Sequence, residues 1–298
     1  MEKTKDWKEK IILWAIRLSG YSAIIFVGLI FIYLLREGLP ALGEVPLSNL
    51  FSSCWYPIED FFGLTPLLAG SLIVTLGATI IAVPIGICTA VYIAEVAPQW
   101  AREILKPSVE VLAGIPSVVL GFFGFVILAP YLRLLLDLPT GLTAFAGSML
   151  LAATALPTIV SVSEDALYSV PKSYRDASIA LGVTEWQTIW NVTLPAARSG
   201  VLTACMLGIG RAVGETMAVL MVTGNAPVIP RGLSGFFAPV RTMTATIAAE
   251  MGEVATGSVH YHVLFLIGIT LFIVTLLINL TAASVVFRKR QRSERILS

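Results

Sequence analysis

Residues 176–195 read Asp-Ala-Ser-Ile-Ala-Leu-Gly-Val-Thr-Glu-Trp-Gln-Thr-Ile-Trp-Asn-Val-Thr-Leu-Pro. Pro171 opens a helix-forming stretch, 172–181, because proline suits a first helical turn. Gly182 follows where a left-handed residue stops a helix. Thr184 then starts a second helix, with Gln187 three residues on as in a capping box. Pro195 has no N–H for the ladder and ends that helix. The spacing thus predicts two short helices joined at a glycine elbow, in a polar stretch between apolar blocks.

Those blocks dominate the chain. Of 298 residues, 56% are hydrophobic and 13% charged, with a mean hydropathy of +0.85. A soluble domain carries about 25% charged residues. A helix needs about 20 apolar residues to cross some 30 Å of hydrocarbon. Six segments qualify: 13–35, 67–93, 111–131, 142–162, 200–223 and 259–287. Lys and Arg in the connections divide unevenly. One side has fifteen, in the N-terminal tail, the second and fourth connections and the C-terminal tail; the other has Arg36, Arg133, Arg231 and Arg241. The positive-inside rule then makes both termini cytoplasmic. The run 18–35 is too long for a signal h-region and no small-residue cleavage site follows it, so it reads as a retained anchor.

Two outer connections are long. One, 36–65, holds Glu37, Glu44, Glu59, Asp60, Trp55 and Tyr56; the other, 225–258, is rich in Pro and Gly and then offers a helix over 242–251. Either can receive an external partner, and each also reads as an ordinary connector with interfacial aromatics. Cys54, Cys88 and Cys205 have no spacing of a disulfide framework or zinc site. His260 and His262, two apart on different helical faces, read as interfacial side chains rather than metal ligands.

Within the fifth span, residues 208–217 read Gly-Ile-Gly-Arg-Ala-Val-Gly-Glu-Thr-Met. An Arg at the bilayer centre costs about 2.5–3.5 kcal/mol on insertion scales. Arg211 and Glu215 are four apart, hence predicted on one helical face, where each neutralises the other. Gly208, Gly210 and Gly214 make that segment slim. One reading is an anion pathway, since a guanidinium fork matches a phosphate oxyanion. The other is an ion pair that locks the span against its neighbours. The two are compatible.

The run Asp176-Ala177-Ser178, three residues, Gly182, nine residues, then Val192-x-Leu194-Pro195 resembles the EAA loop of ABC importer permeases, with Asp for Glu, Ser for Ala and Val for Ile. Residues 210–227, 112–121 and 241–253 further resemble the PstC family of phosphate permeases, in preference to the sister PstA family. The resemblance covers nearly the whole chain and is weakest over the first forty residues or so. It implies an all-α, polytopic type I ABC importer permease (MetI-like) fold. Asp176, Ala177, Gly182, Leu194 and Pro195 would then dock on the ATP-hydrolysing subunit, and Arg211 and Glu215 would line the substrate pathway. The implied partners are a PstA-like sister permease, a PstB-like cytoplasmic ATPase dimer, a PstS-like external phosphate-binding protein and membrane lipid.

No Gly-Lys pair occurs, so the chain has no P-loop of its own; the expectation is a transport subunit without cofactor, with ATP bound by a partner. The expected organisation is an N-terminal tail, first span and outer loop (1–65), a permease core (66–287) with a coupling loop at about 164–199, and a basic tail (288–298). An enzyme lacks support, having no clustered nucleophile and base. Two alternatives stay open: transport of another oxyanion such as molybdate, sulfate or phosphonate, and a non-conducting sensor or scaffold.

Overall fold

The computed structural model describes residues 2–232 and 234–297, with side chains described for 7, 9–232, 234–281 and 284. The side chains of Lys3, Lys5, Lys8 and the basic tail 288–298, which carry much of the charge asymmetry, lie outside those described. Helix α1 (Glu2–Gly38) leads into α2 (Ala41–Glu44), α3 (Leu47–Leu50) and a hairpin of β1 (Trp55–Tyr56) and β2 (Phe61–Phe62), with Trp55 opposite Phe62. Helix α4 (Thr65–Val91) runs on through a wide π turn, Tyr92–Val96, to α5 (Gln99–Gly114). Helices α6 (Ser117–Phe123) and α7 (Ala129–Leu135) are joined by a second wide turn, Gly124–Leu128. Then come α8 (Ala144–Tyr168), α9 (Lys172–Ala180) and α10 (Glu185–Thr188), a third wide turn (Ile189–Thr193), α11 (Leu194–Gly214), α12 (Met217–Val222), α13 (Met243–Glu250) and α14 (Val259–Leu297).

Among the described residues, six helical segments are long and apolar enough to cross a membrane: Glu9–Glu44, Thr65–Val96, Ser117–Leu135, Ala144–Tyr168, Glu185–Gly214 and Val259–Thr281. They correspond to the six expected spans; most ends shift by several residues, but the fifth, expected at 200–223, starts fifteen residues earlier and stops at Gly214. Helix α8 is the axis of the bundle, and fifteen of its residues are buried. Its neighbours approach through small residues. A Cβ on Gly77 would strike Ser148, and one on Gly86 or Gly208 would strike Ile159. Lipid gives helices no hydrophobic reason to associate, so close van der Waals contact between such slim faces is what holds them. Helix α1 stands apart and packs on α14, with Phe31 stacked on Phe272 at 4.7 Å and Tyr33 edge-on to Phe265.

A proline lies two residues beyond each wide turn, at Pro98, Pro130 and Pro195. In a regular helix the proline ring clashes with the carbonyl four residues back. At Pro130 and Pro195 that carbonyl lies in the wide turn, which moves it aside, so the helix continues. This corrects the reading of Pro195 as a terminator. The second helix of the elbow flows into the fifth span without a stop.

Candidate functional site

The elbow is built as its sequence suggests. The Thr184 hydroxyl accepts from Gln187 N, and the Gln187 side chain accepts from Thr184 N. Gly182 adopts φ +81°. Across the bend the Ser178 and Thr188 hydroxyls meet at 2.9 Å, buried. Asp176 and Ala177 face solvent on α9, Leu194 is half-buried, and Pro195 is exposed in the first turn of α11. Beside them Ile179, Leu181 and Trp186 are also exposed, Leu181 by 84%, so the elbow presents an uncovered apolar knob.

Ion pairs tie this knob to the bundle. Arg175, on α9, sends Nε and Nη2 to the two oxygens of Glu95 at 3.1 and 2.5 Å, and donates to the Val170 and Leu167 carbonyls. Glu95 lies in the wide turn that ends α4, so α9 is fastened to the second span and to the end of the fourth. Lys106 on α5 bonds the buried Glu164 of α8 at 3.2 Å, and that bond raises the Lys106 pKa above its ordinary value. Arg102 donates to the Ala94 carbonyl at 3.0 Å. These links escaped the sequence reading, which counted Arg175, Arg102 and Lys106 only as topology charges. Their acidic partners are up to 80 residues away.

Arg211 and Glu215 do not form the expected pair. Helix α11 stops at Gly214, Glu215 is extended (φ −70°, ψ 130°), and α12 restarts at Met217. Four-residue spacing brings side chains together only on an unbroken helix. The Glu215 carboxylate instead accepts from Thr216 N at 3.1 Å and Ala218 N at 3.3 Å, capping α12. Arg211 is exposed, in the last turn of α11, where the helix dipole favours a cation. Among the described residues its side chain has no hydrogen bond or ion pair. It ends an open ridge of Ser199, Thr203, Leu207 and Arg211, while Ala197, Val201, Ala204, Gly208 and Ala212 face the bundle. Arg211 lies three residues before the end of the apolar helical segment Glu185–Gly214, just ahead of the break.

The segment after α12 folds back into the bundle. Val240 N donates to the Thr223 carbonyl and Ala144 N to the Ala238 carbonyl. Helix α13 packs on α4, α12 and α14. Thr242 caps it, and the Thr244 hydroxyl donates to the Glu215 carbonyl at 3.1 Å. At its far end Glu250 receives Arg241 Nη2, Trp55 Nε1 at 3.2 Å and His260 Nε2 at 2.8 Å. His262 pairs with Glu44 at 2.8 Å. Both histidines therefore have carboxylate partners, and among the described residues no group of His, Cys, Asp and Glu could hold a metal ion.

Comparison with known proteins agrees with this architecture. The family described as "Binding-protein-dependent transport system inner membrane component" matches residues 82–292. The chain is 41% identical over 237 residues to a probable ABC transporter permease protein, YqgH, of Bacillus subtilis, covering 79% of this chain and 76% of that protein. It is 34% identical over 291 residues to the phosphate transport system permease protein PstC of Mesorhizobium japonicum, covering 91% and 88%. The fold resembles a chain of a bacterial alginate ABC transporter, with a TM-score of 0.64 at 18% identity over 93% of this chain and 94% of that one. It also resembles a chain of the MetNI methionine ABC transporter, with a TM-score of 0.56 at 21% identity over 76% and 94%.

Proposed function

The chain belongs to the family of binding-protein-dependent transport system inner membrane components, and we propose that it is the permease subunit through which an ATP-driven importer moves inorganic phosphate. The observation that carries this reading is Arg211, an exposed cation in the last turn of an apolar helix with no partner among the described residues, in a chain similar to phosphate permeases over nine-tenths of its length. An always-charged guanidinium in a low-dielectric passage attracts an oxyanion strongly. Its five donors suit the tetrahedral oxygens of phosphate.

Both termini are cytoplasmic in this reading, supported by the skew of Lys and Arg. The elbow 176–195 then faces the cytoplasm, and Leu181, Trp186 and Ala177 enter a groove on a partner ATPase that binds the ATP. The exposed Tyr56, Ile58 and Phe61 of the hairpin face outward, toward a phosphate-binding protein. A sister permease of the same fold covers the Ser199–Arg211 ridge and completes the passage. Residues 66–287 form the permease core, with 1–65 and 288–298 as appendages.

ATP-driven closure of the two ATPases draws the elbows together, and the bundle rocks open on the outer side. Phosphate leaves its binding protein, meets Arg211 and passes when the bundle reverses. The test is uptake of labelled phosphate by vesicles holding the assembled complex. Arg211→Ala in a complex that still assembles should lose most uptake, and unchanged uptake sinks the assignment. Competing molybdate, sulfate and phosphonate in the same assay read the choice of anion.

A further inference from the structure

The break in the fifth span leaves the Glu215 carbonyl to be satisfied from elsewhere. In an unbroken helix that carbonyl would accept from Val219 N, four residues on. The hydroxyl of buried Thr244 donates to it instead, at 3.1 Å. Two other carbonyls at the break are met locally, by Glu215 N on the Ala212 carbonyl and by the Thr216 hydroxyl on the Gly214 carbonyl, and the Glu215 carboxylate meets Thr216 N and Ala218 N. Among the described residues Thr244 is thus the one contributor to this set that comes from another element, and its bond competes with straightening of the span.

Thr244 is held from both directions. Below it, Met243 N donates to the Ser71 hydroxyl at 2.9 Å, and Gly70 lies so close to the Arg241 carbonyl that a Cβ would collide with it. At the other end of the helix, Glu250 is bonded to Arg241, His260 and the indole of Trp55. Trp55 is buried in the hairpin whose Tyr56, Ile58 and Phe61 are exposed, and a rigid helix of about 9 Å joins Thr244 to Glu250.

We infer that α13 is a brace by which the hairpin 55–62 sets the bend of the fifth span, with Glu250 as its outer anchor and Thr244 as its inner one. Thr244 is a positioning residue for Arg211. It is buried, and it acts by fixing how α11 and α12 meet just beyond that guanidinium. The inference takes the importer reading above for the solute to be measured, but the brace itself does not depend on which anion moves.

The experiment compares Thr244→Val, which keeps shape and loses the donor, with Thr244→Ser, which keeps the donor, in reconstituted complexes. Thr244→Ala replaces Thr244→Val should the latter fail to assemble. Thr244→Val should cut maximal phosphate uptake by about fivefold to tenfold, the scale of one lost hydrogen bond, with half-saturation by the binding protein unchanged. Thr244→Ser should restore it. Hydrogen exchange without solute should show the Val219 amide gaining protection in Thr244→Val alone. Wild-type uptake and exchange in Thr244→Val overturns the brace, as does equal impairment in both variants, which would make the effect one of packing. If exchange shifts with rescue by serine while the wild-type complex moves no phosphate, the brace stands and the phosphate reading falls.

Discussion

Glu215 and Arg211 sit one helical turn apart in sequence and on opposite sides of a break in the backbone. The carboxylate works as a helix cap, a role worth about 0.5–2 kcal/mol. A cap needs an acceptor oxygen and not a negative charge, which separates two accounts of Glu215. Glu215→Gln retains the bonds to Thr216 N and Ala218 N and should keep at least half of wild-type uptake, whereas Glu215→Ala should be clearly less stable in a thermal shift of the purified complex. Equal loss in the two variants would return Glu215 to the role of counter-ion. At Arg211 the fork itself matters, because lysine offers a point charge on a flexible stem. Arg211→Lys is expected to transport with a raised half-saturating phosphate concentration and a lower maximal rate than wild type, yet above Arg211→Ala.

Among the elements, the elbow was readable because every device in it is local. Pro171, Gly182, Thr184 and Gln187 act within a few residues of themselves, and the structure returns the cap and the left-handed glycine. Placing a side chain at Gly182 costs about 1–2 kcal/mol in that conformation. Gly182→Val should therefore loosen the elbow and uncouple ATP hydrolysis from uptake while membrane insertion proceeds; tight coupling in that variant would remove the elbow from the docking role. What escaped the sequence was each device that needs a distant partner. The break at Glu215 depends on Thr244, and the fastening of α9 depends on Glu95, 80 residues before Arg175. Pro195 misled for a related reason, since the wide turn that accommodates it leaves no mark in a residue-by-residue reading. Glu95 is nearly buried, so Arg175→Ala strands a carboxylate and should destabilise the assembled chain by roughly 3 kcal/mol. Arg175→Ala with Glu95→Ala should recover part of that loss, as read by denaturation of the two complexes.

For the whole molecule, the six spans were legible from length and composition, which is all a bilayer demands of a crossing helix. The inward fold of α13 was not, because its threonines look suited to water until buried carbonyls accept from them. Topology has a direct check in the native thiols. Cys54 is exposed in the segment that precedes the hairpin, Cys88 lies in the second span and Cys205 is buried. A membrane-impermeant maleimide applied to intact cells should label Cys54 and leave Cys54→Ser unlabelled; protection of Cys54 until the membrane is opened would invert the orientation. The continuity of α10 with α11 across the third wide turn has a mechanical corollary. Residues 185–214 form one rod about 45 Å long. Pivoted at one end, such a rod converts a tilt of roughly 10° into about 8 Å of travel at the other. A rotation of the rod about its Glu185 end would therefore displace Arg211 by several ångströms with no change of helical structure in between.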